Sequence, residues 1–142
     1  MVQTLRYVWA LPVTLLGMLT ALVARGSGGT LQRVDGVLEV AGGWPARMLR
    51  RGFPFSGAVA ALTLGHVVVG ESLNALAETR SHERAHVRQF ERWGALLLVL
   101  YPLAGLLAWI RGGSPYHDNR FEREAQTAAL AARRMPGHSR TI

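Results

Sequence analysis

The residues able to do chemistry are concentrated in one stretch, Ser81–Gly94, which reads S-H-E-R-A-H-V-R-Q-F-E-R-W-G. Within it His82-Glu83-Arg84-Ala85-His86 is a complete H-E-x-x-H. On a helix, two histidines four residues apart stand one turn above each other on the same face, so both imidazoles can bind one metal ion. Glu83 points off that line, yet it can take the proton of a water bound beside the metal, the general-base role in zinc hydrolases. The flanking residues predict the helix that this requires. Ser81 can cap it, neither Pro nor Gly intervenes before Gly94, and Ala85, Val87, Phe90 and Trp93 supply apolar anchors. The same short pattern also arises on an ordinary solvated helix rich in Arg and Glu, so it needs a third ligand to carry weight.

Composition limits what can surround such a site. The chain of 142 residues has room for one domain, and its 49% hydrophobic content is high for a fully soluble protein. Without cysteine, disulfides, thiolate zinc sites and cysteine nucleophiles are excluded, leaving His, carboxylate and water as metal ligands. All sixteen basic residues are arginine, against nine acids, a formal charge of +7. They lie among apolar runs with no nucleic-acid-binding motif or stacking platform, so the partner expected is membrane lipid and not nucleic acid.

Taken in order, Tyr7–Ala24 runs uncharged for about 18 residues between Arg6 and Arg25, long enough to cross a bilayer. Residues 1–25 are read as an uncleaved membrane anchor; a cleaved signal peptide and a buried core helix are the two rival readings. Gly26-Ser27-Gly28-Gly29 then predicts a flexible link. Thr30–Val34 and Val37–Val40 flank Asp35-Gly36, the signature of a tight hairpin. Arg47, Arg50 and Arg51 with Trp44, Met48, Leu49, Phe53 and Phe55 form either a basic, aromatic patch on lipid headgroups or an ordinary loop. Ala58–Val69 reads as strand material bent or turned at Gly65-His66, and Glu71–Arg80 as a mixed linker. A strand just before the H-E-x-x-H helix can also bind an extended peptide by main-chain pairing. Asn119 can cap a last helix over Arg120–Arg134 ended by Pro136-Gly137, and 136–142 is a tail.

A catalytic zinc site has three protein ligands and an open position for water. No x-x-G-x-x-H continuation follows His86, and the carboxylates on offer stand in Asn119-Arg120-Phe121-Glu122-Arg123-Glu124-Ala125-Gln126. With the upstream motif, this run resembles the gluzincin metallopeptidases, in which a helix with H-E-x-x-H precedes a second helix with E-x-x-A-D or a close variant. His82, Glu83 and His86 match the first element, and Glu122 to Ala125 the first four positions of the second. The resemblance covers Ser81 to about Ala132 and extends to membrane-embedded members. It implies that His82, His86 and Glu122 hold Zn2+, that Glu83 is the catalytic base, and that the substrate is a peptide or protein. Gln126 stands where many members have Asp, so the group orienting a metal-binding histidine carries no charge. Glu122 also has the spacing of a capping box from Asn119, and Glu124 is the fallback ligand. Tyr116, His117 and His66 are accessory donors toward an oxyanion; His66 has the rival reading of a satisfied turn histidine.

The two motifs impose a constraint on Gly94–Ile110, which a hydropathy scan takes for a second span. A single crossing would place His86 and Glu122 on opposite sides of the bilayer. Pro102 and Gly105 therefore predict a helical hairpin whose halves are each too short to span; a true span without a metal site is the rival. The fold expected is α+β: an N-terminal membrane helix, a small N-proximal antiparallel sheet and a helical zinc-metallopeptidase core, the domain covering 30–135. The excess of arginine after the anchor places the catalytic part on the cytoplasmic side. The alternative function is a non-catalytic, basic, membrane-anchored binding or scaffolding protein.

Overall fold

The computed structural model describes residues 2–54 and 57–135, so Phe55, the Pro136-Gly137 stop and the tail lie outside the described residues. The elements are α1 (Val2–Gly26), β1 (Thr30–Val34), β2 (Val37–Ala41), α2 (Gly43–Arg51), β3 (Ala61–Leu64), β4 (Val67–Gly70), α3 (Leu73–Trp93), a 3-10 turn (Gly94–Leu96), α4 (Leu97–Ile110) and α5 (Arg120–Arg134). The fold is α+β with an apolar N-terminal helix, as the sequence predicts.

The sheet runs in the order β1-β2-β4-β3 and is mixed, not purely antiparallel. Asp35 and Gly36 both take positive φ, as a two-residue hairpin turn demands, and join β1 to β2. Gly65 does the same for the β3–β4 hairpin, opening a turn whose second residue is His66. Between the hairpins, β2 and β4 pair in parallel from Leu38–Val67 to Ala41–Gly70. The parallel step arises because α2 and the segment after it carry the chain across before β3 begins, a crossover that a string of hairpins lacks.

The link after α1 is not a flexible tether. Gly29 N–H donates to the Ala24 carbonyl at 2.7 Å, and the Trp44 N–H donates to Ser27 Oγ at 2.8 Å. Nor is α1 a detached anchor: its Ala10, Val13, Ala21 and Ala24 are buried at helical spacing against the sheet, α2 and α3. Gly17 lies in the same stripe, where a Cβ would come within 2.6 Å of Val67 Cβ. Small residues let α1 lie directly on β4. Its opposite face, with Val8, Leu15, Leu19 and Leu22, is exposed and apolar.

The α3 helix begins earlier than expected. Ser72, not Ser81, is its cap, accepting from the Ala75 N–H at 3.1 Å, so most of the expected linker is helical. Leu76 and Val87 bury against the sheet, and Phe90 packs with Ala10, Val13, Leu97 and Phe121.

Gly94–Ile110 does not fold as a hairpin broken at Pro102. After the 3-10 turn, α4 is one helix of 14 residues that continues through Pro102. Reversal comes instead at its C-terminus, where Gly112 takes a φ of 81° and the N–H groups of Gly112 and Gly113 donate to the Trp109 and Ala108 carbonyls. The chain then returns along α4. Pro115 abuts Gly105, and Asn119 Nδ2 donates to the Tyr101 carbonyl at 2.9 Å. At about 1.5 Å per residue, α4 is roughly 21 Å long, short of the ~30 Å hydrocarbon core. Its return brings α5 back against α3, as a metal ion shared by His86 and Glu122 would require.

Two helical stretches, Arg6–Gly26 and Leu73–Ile110, are long and apolar enough to cross a membrane by length and composition. In the second, the apolar part is Gly94–Ile110; the α3 part is rich in Arg and Glu.

Candidate metal centre

On α3, His82 and His86 share a face with Gln89, and α5 brings Glu122 opposite them. Glu122 stands in the first turn of α5, held by the Asn119 cap, whose Oδ1 accepts from the Phe121 N–H at 3.0 Å. The two Nε2 atoms lie 3.1 Å apart. His82 Nε2 is 3.1 Å from Glu122 Oε2, and His86 Nε2 is 3.3 Å from Glu122 Oε1. A tetrahedral ion with bonds of about 2.0–2.1 Å sets its ligand atoms about 3.3 Å from one another. Side-chain atoms of His82, His86 and Glu122 are thus grouped as metal ligands would be.

The hydrogen bonds around the group leave lone pairs facing inward. Gln89 Nε2 donates to the Phe121 carbonyl at 3.0 Å, which fixes the amide and turns its Oε1 to His86 Nδ1 at 2.9 Å. That oxygen can only accept. Nδ1 of His86 therefore carries a hydrogen, and in the neutral ring Nε2 keeps the lone pair a metal needs. The Tyr101 hydroxyl donates to Glu122 Oε1. Oε2 is fully buried without a hydrogen-bond partner among the described residues, despite its closeness to His82. A buried, unpartnered carboxylate oxygen is costly, and a bound cation removes that cost. The residues present fit a metal ion.

Electrostatics agree with this geometry. Burial raises the Glu122 carboxyl, but the imidazoles of His82 and His86 and the Tyr101 hydroxyl outweigh it and hold the group well below the usual carboxylate range. For His86, burial disfavours the charged ring, yet Glu122 and Glu83 beside it bring the net shift upward. A divalent ion competes with that proton for Nε2.

Glu83 lies on the sheet side of α3, buried, and its Oε2 accepts from Thr63 Oγ1 on β3 at 2.6 Å. Burial raises its pKa, against the lowering influence of His86, Thr63 and His82. A carboxylate moved upward in this way is a better proton acceptor near neutral pH than an exposed one.

Of the accessory residues, Tyr116 is half-buried, and burial and the Glu122 carboxylate push its hydroxyl up to about 12. His117 is exposed, its ring edge-on to Tyr116. His66 is the satisfied turn histidine of the rival reading. Its ring stacks on Tyr7 at 4.2 Å, Nδ1 meets Thr14 Oγ1 at 3.3 Å and Nε2 meets Glu91 at 3.1 Å. Glu124 and Gln126 are exposed on α5, so neither joins the group, and Gln126 does not orient a histidine. The orienting amide is Gln89, which sequence reasoning missed along with Thr63 and Tyr101. Gln89 stands three residues after His86, a spacing that puts it one turn further along the same face.

Compared with known protein families, curated proteins and solved structures, the chain matches none. The functional reading therefore stands on the geometry above.

Proposed function

We propose that the chain is a membrane-associated, zinc-dependent metallopeptidase of gluzincin-like design, its catalytic part on the cytoplasmic side. The observation that carries the reading is the triangle of His82 Nε2, His86 Nε2 and Glu122, whose buried Oε2 lies 3.1 Å from His82 Nε2 and makes no hydrogen bond among the described residues. His82, His86 and Glu122 would hold the ion, and zinc there would supply Lewis acidity. Glu83 would take the proton of the attacking water and return it to the departing amine, while Thr63 Oγ1, donating to Glu83 Oε2, fixes the carboxylate's orientation. The Tyr116 hydroxyl, kept protonated by its surroundings, is the accessory donor toward the developing oxyanion.

A peptide substrate is supported by β3, the edge strand beside α3. Glu71 N–H bonds to the Ala60 carbonyl, so by alternation Ala61 and Thr63 turn their main-chain groups away from β4. An extended peptide can pair there, next to Glu83.

The test is metal content by mass spectrometry on detergent-purified protein, with peptidase assays alongside. Zinc near one per chain, lost in His82→Ala and Glu122→Ala but kept in an inactive Glu83→Gln, is the expected result. Full hydrolysis by Glu83→Gln would sink the base assignment, and absence of metal after zinc addition would return the chain to a binding or scaffolding role.

A further inference from the structure

We infer that the outer face of α2 is a docking surface for an anionic lipid bilayer, formed by Trp44, Arg47, Met48 and Arg51 and extended by Arg25 and Phe53. These four α2 residues recur at i, i+3, i+4 and i+7, so they share one side of the helix, and all are exposed. Pro45, Ala46 and Leu49 are buried on the other side, which fixes the direction the basic face looks.

The helix is anchored at the end of α1. The Trp44 N–H donates to Ser27 Oγ, and a Cβ on Gly43 would meet the Ala24 carbonyl at 2.7 Å. Arg25 at the last turn of α1 therefore belongs to the same end of the molecule, where the exposed apolar face of α1 finishes at Leu22 and Val23. Exposed Leu22 and Val23 thus precede Arg25 and the basic, aromatic residues of α2 along the chain, and acyl chains likewise give way to headgroups across a bilayer.

Charge selects the occupant. No acidic residue occurs between Gly42 and Val69, and among the described residues Arg25, Arg47 and Arg51 make no ion pair. Arg50 differs, its guanidinium donating to the Glu71 carbonyl at 3.4 Å. An anionic leaflet attracts each surface arginine with roughly a fivefold preference, and Trp, Met and Phe between them insert among the headgroups. A nucleic acid would meet the charge but gain little from Met48 and Phe53.

The absence of cysteine makes the test direct. The full chain with Met48→Cys, labelled with an environment-sensitive fluorophore, is reconstituted into vesicles of phosphatidylcholine alone or with one-third phosphatidylglycerol, each carrying a headgroup-level nitroxide quencher. Stronger quenching with phosphatidylglycerol is expected, weakened by salt and reduced severalfold in Arg47→Gln/Arg51→Gln but retained in Arg47→Lys/Arg51→Lys. Equal quenching in both vesicles, or quenching indifferent to the Gln pair, overturns the assignment. So does a label in detergent that responds to duplex DNA and not to phosphatidylglycerol. Zinc removal leaves the expected result unchanged, so this surface and the peptidase reading fail independently.

Discussion

Gln89 binds the two halves of the site with one side chain. Its Oε1 holds His86 Nδ1 and its Nε2 holds the carbonyl of Phe121, the residue before Glu122. Gln89→Leu removes both bonds and leaves a buried carbonyl and ring nitrogen without partners. Zinc affinity is expected to fall about 10–100-fold, read by competition with a chelating dye. Gln89→Glu keeps the acceptor for His86 but cannot donate to Phe121, so it should recover part of the affinity and shift the visible spectrum of the cobalt-substituted protein. An unchanged affinity in Gln89→Leu would remove the orienting role. At this scale the sequence told a good deal: spacing alone aligns His82 with His86, and the run after Asn119 contains Glu122. It gave Gln89 no role, because the amide's second partner lies 32 residues away and only the packing of α5 on α3 brings it near. Gln126 misled for the same reason, since a motif position says nothing about which side of α5 faces the histidines.

The α3 helix does its positioning by presenting different faces to different neighbours. One face carries His82 and His86, a second carries Glu83 and Val87 to the sheet, and a third clamps the β1–β2 hairpin through arginine. Buried Glu39 on β2 accepts from Arg80 Nε at 2.7 Å, Arg80 Nη2 at 2.9 Å and Gln32 Nε2 at 2.8 Å. Arg84 reaches the Val34 carbonyl at the hairpin's turn. Burial raises the Glu39 carboxyl, but Arg80, Gln32 and Arg84 together bring it below its ordinary value of 4.5. A depressed folded-state pKa means stability present above the unfolded value and lost as pH falls through the folded one. Denaturant titrations should thus show stability declining below about pH 4.5, with a shallower decline in Glu39→Gln. Arg80→Met leaves a buried carboxylate with fewer partners. Because the arginine is itself one-third exposed, a loss of about 2 kcal/mol is expected, and Glu39→Leu/Arg80→Leu should cost less than the two single changes added together. A single change that costs nothing would show the clamp to be incidental. None of this was legible beforehand: Asp35-Gly36 announced the hairpin, but pairing β2 with β4 and laying α3 across them are tertiary choices.

On the scale of the molecule, the decisive feature is that α4 leaves and the chain comes back. The constraint that His86 and Glu122 share one side followed from the sequence, but the place of the reversal did not. Pro102 was given the break, whereas α4 runs on through it and the reversal comes at Gly112, whose positive φ a residue with a side chain rarely adopts. The cysteine-free background allows the path to be tested in sealed vesicles. Arg92 and Arg123 are exposed on either side of the apolar segment, so single Arg92→Cys and Arg123→Cys proteins present one thiol each. If α4 dips and returns, a membrane-impermeant maleimide modifies both from the same face, and a reagent trapped inside modifies both or neither. Opposite labelling would mean that Gly94–Ile110 crosses, which separates His86 from Glu122 by the full bilayer and ends the zinc reading with it. Matching labels would leave α1, whose inner stripe is locked onto β4 through Gly17, as the remaining helix long enough to span. The His82, His86 and Glu122 group would then sit close to the lipid boundary, with α4's exposed Leu103, Leu106 and Trp109 free to meet acyl chains.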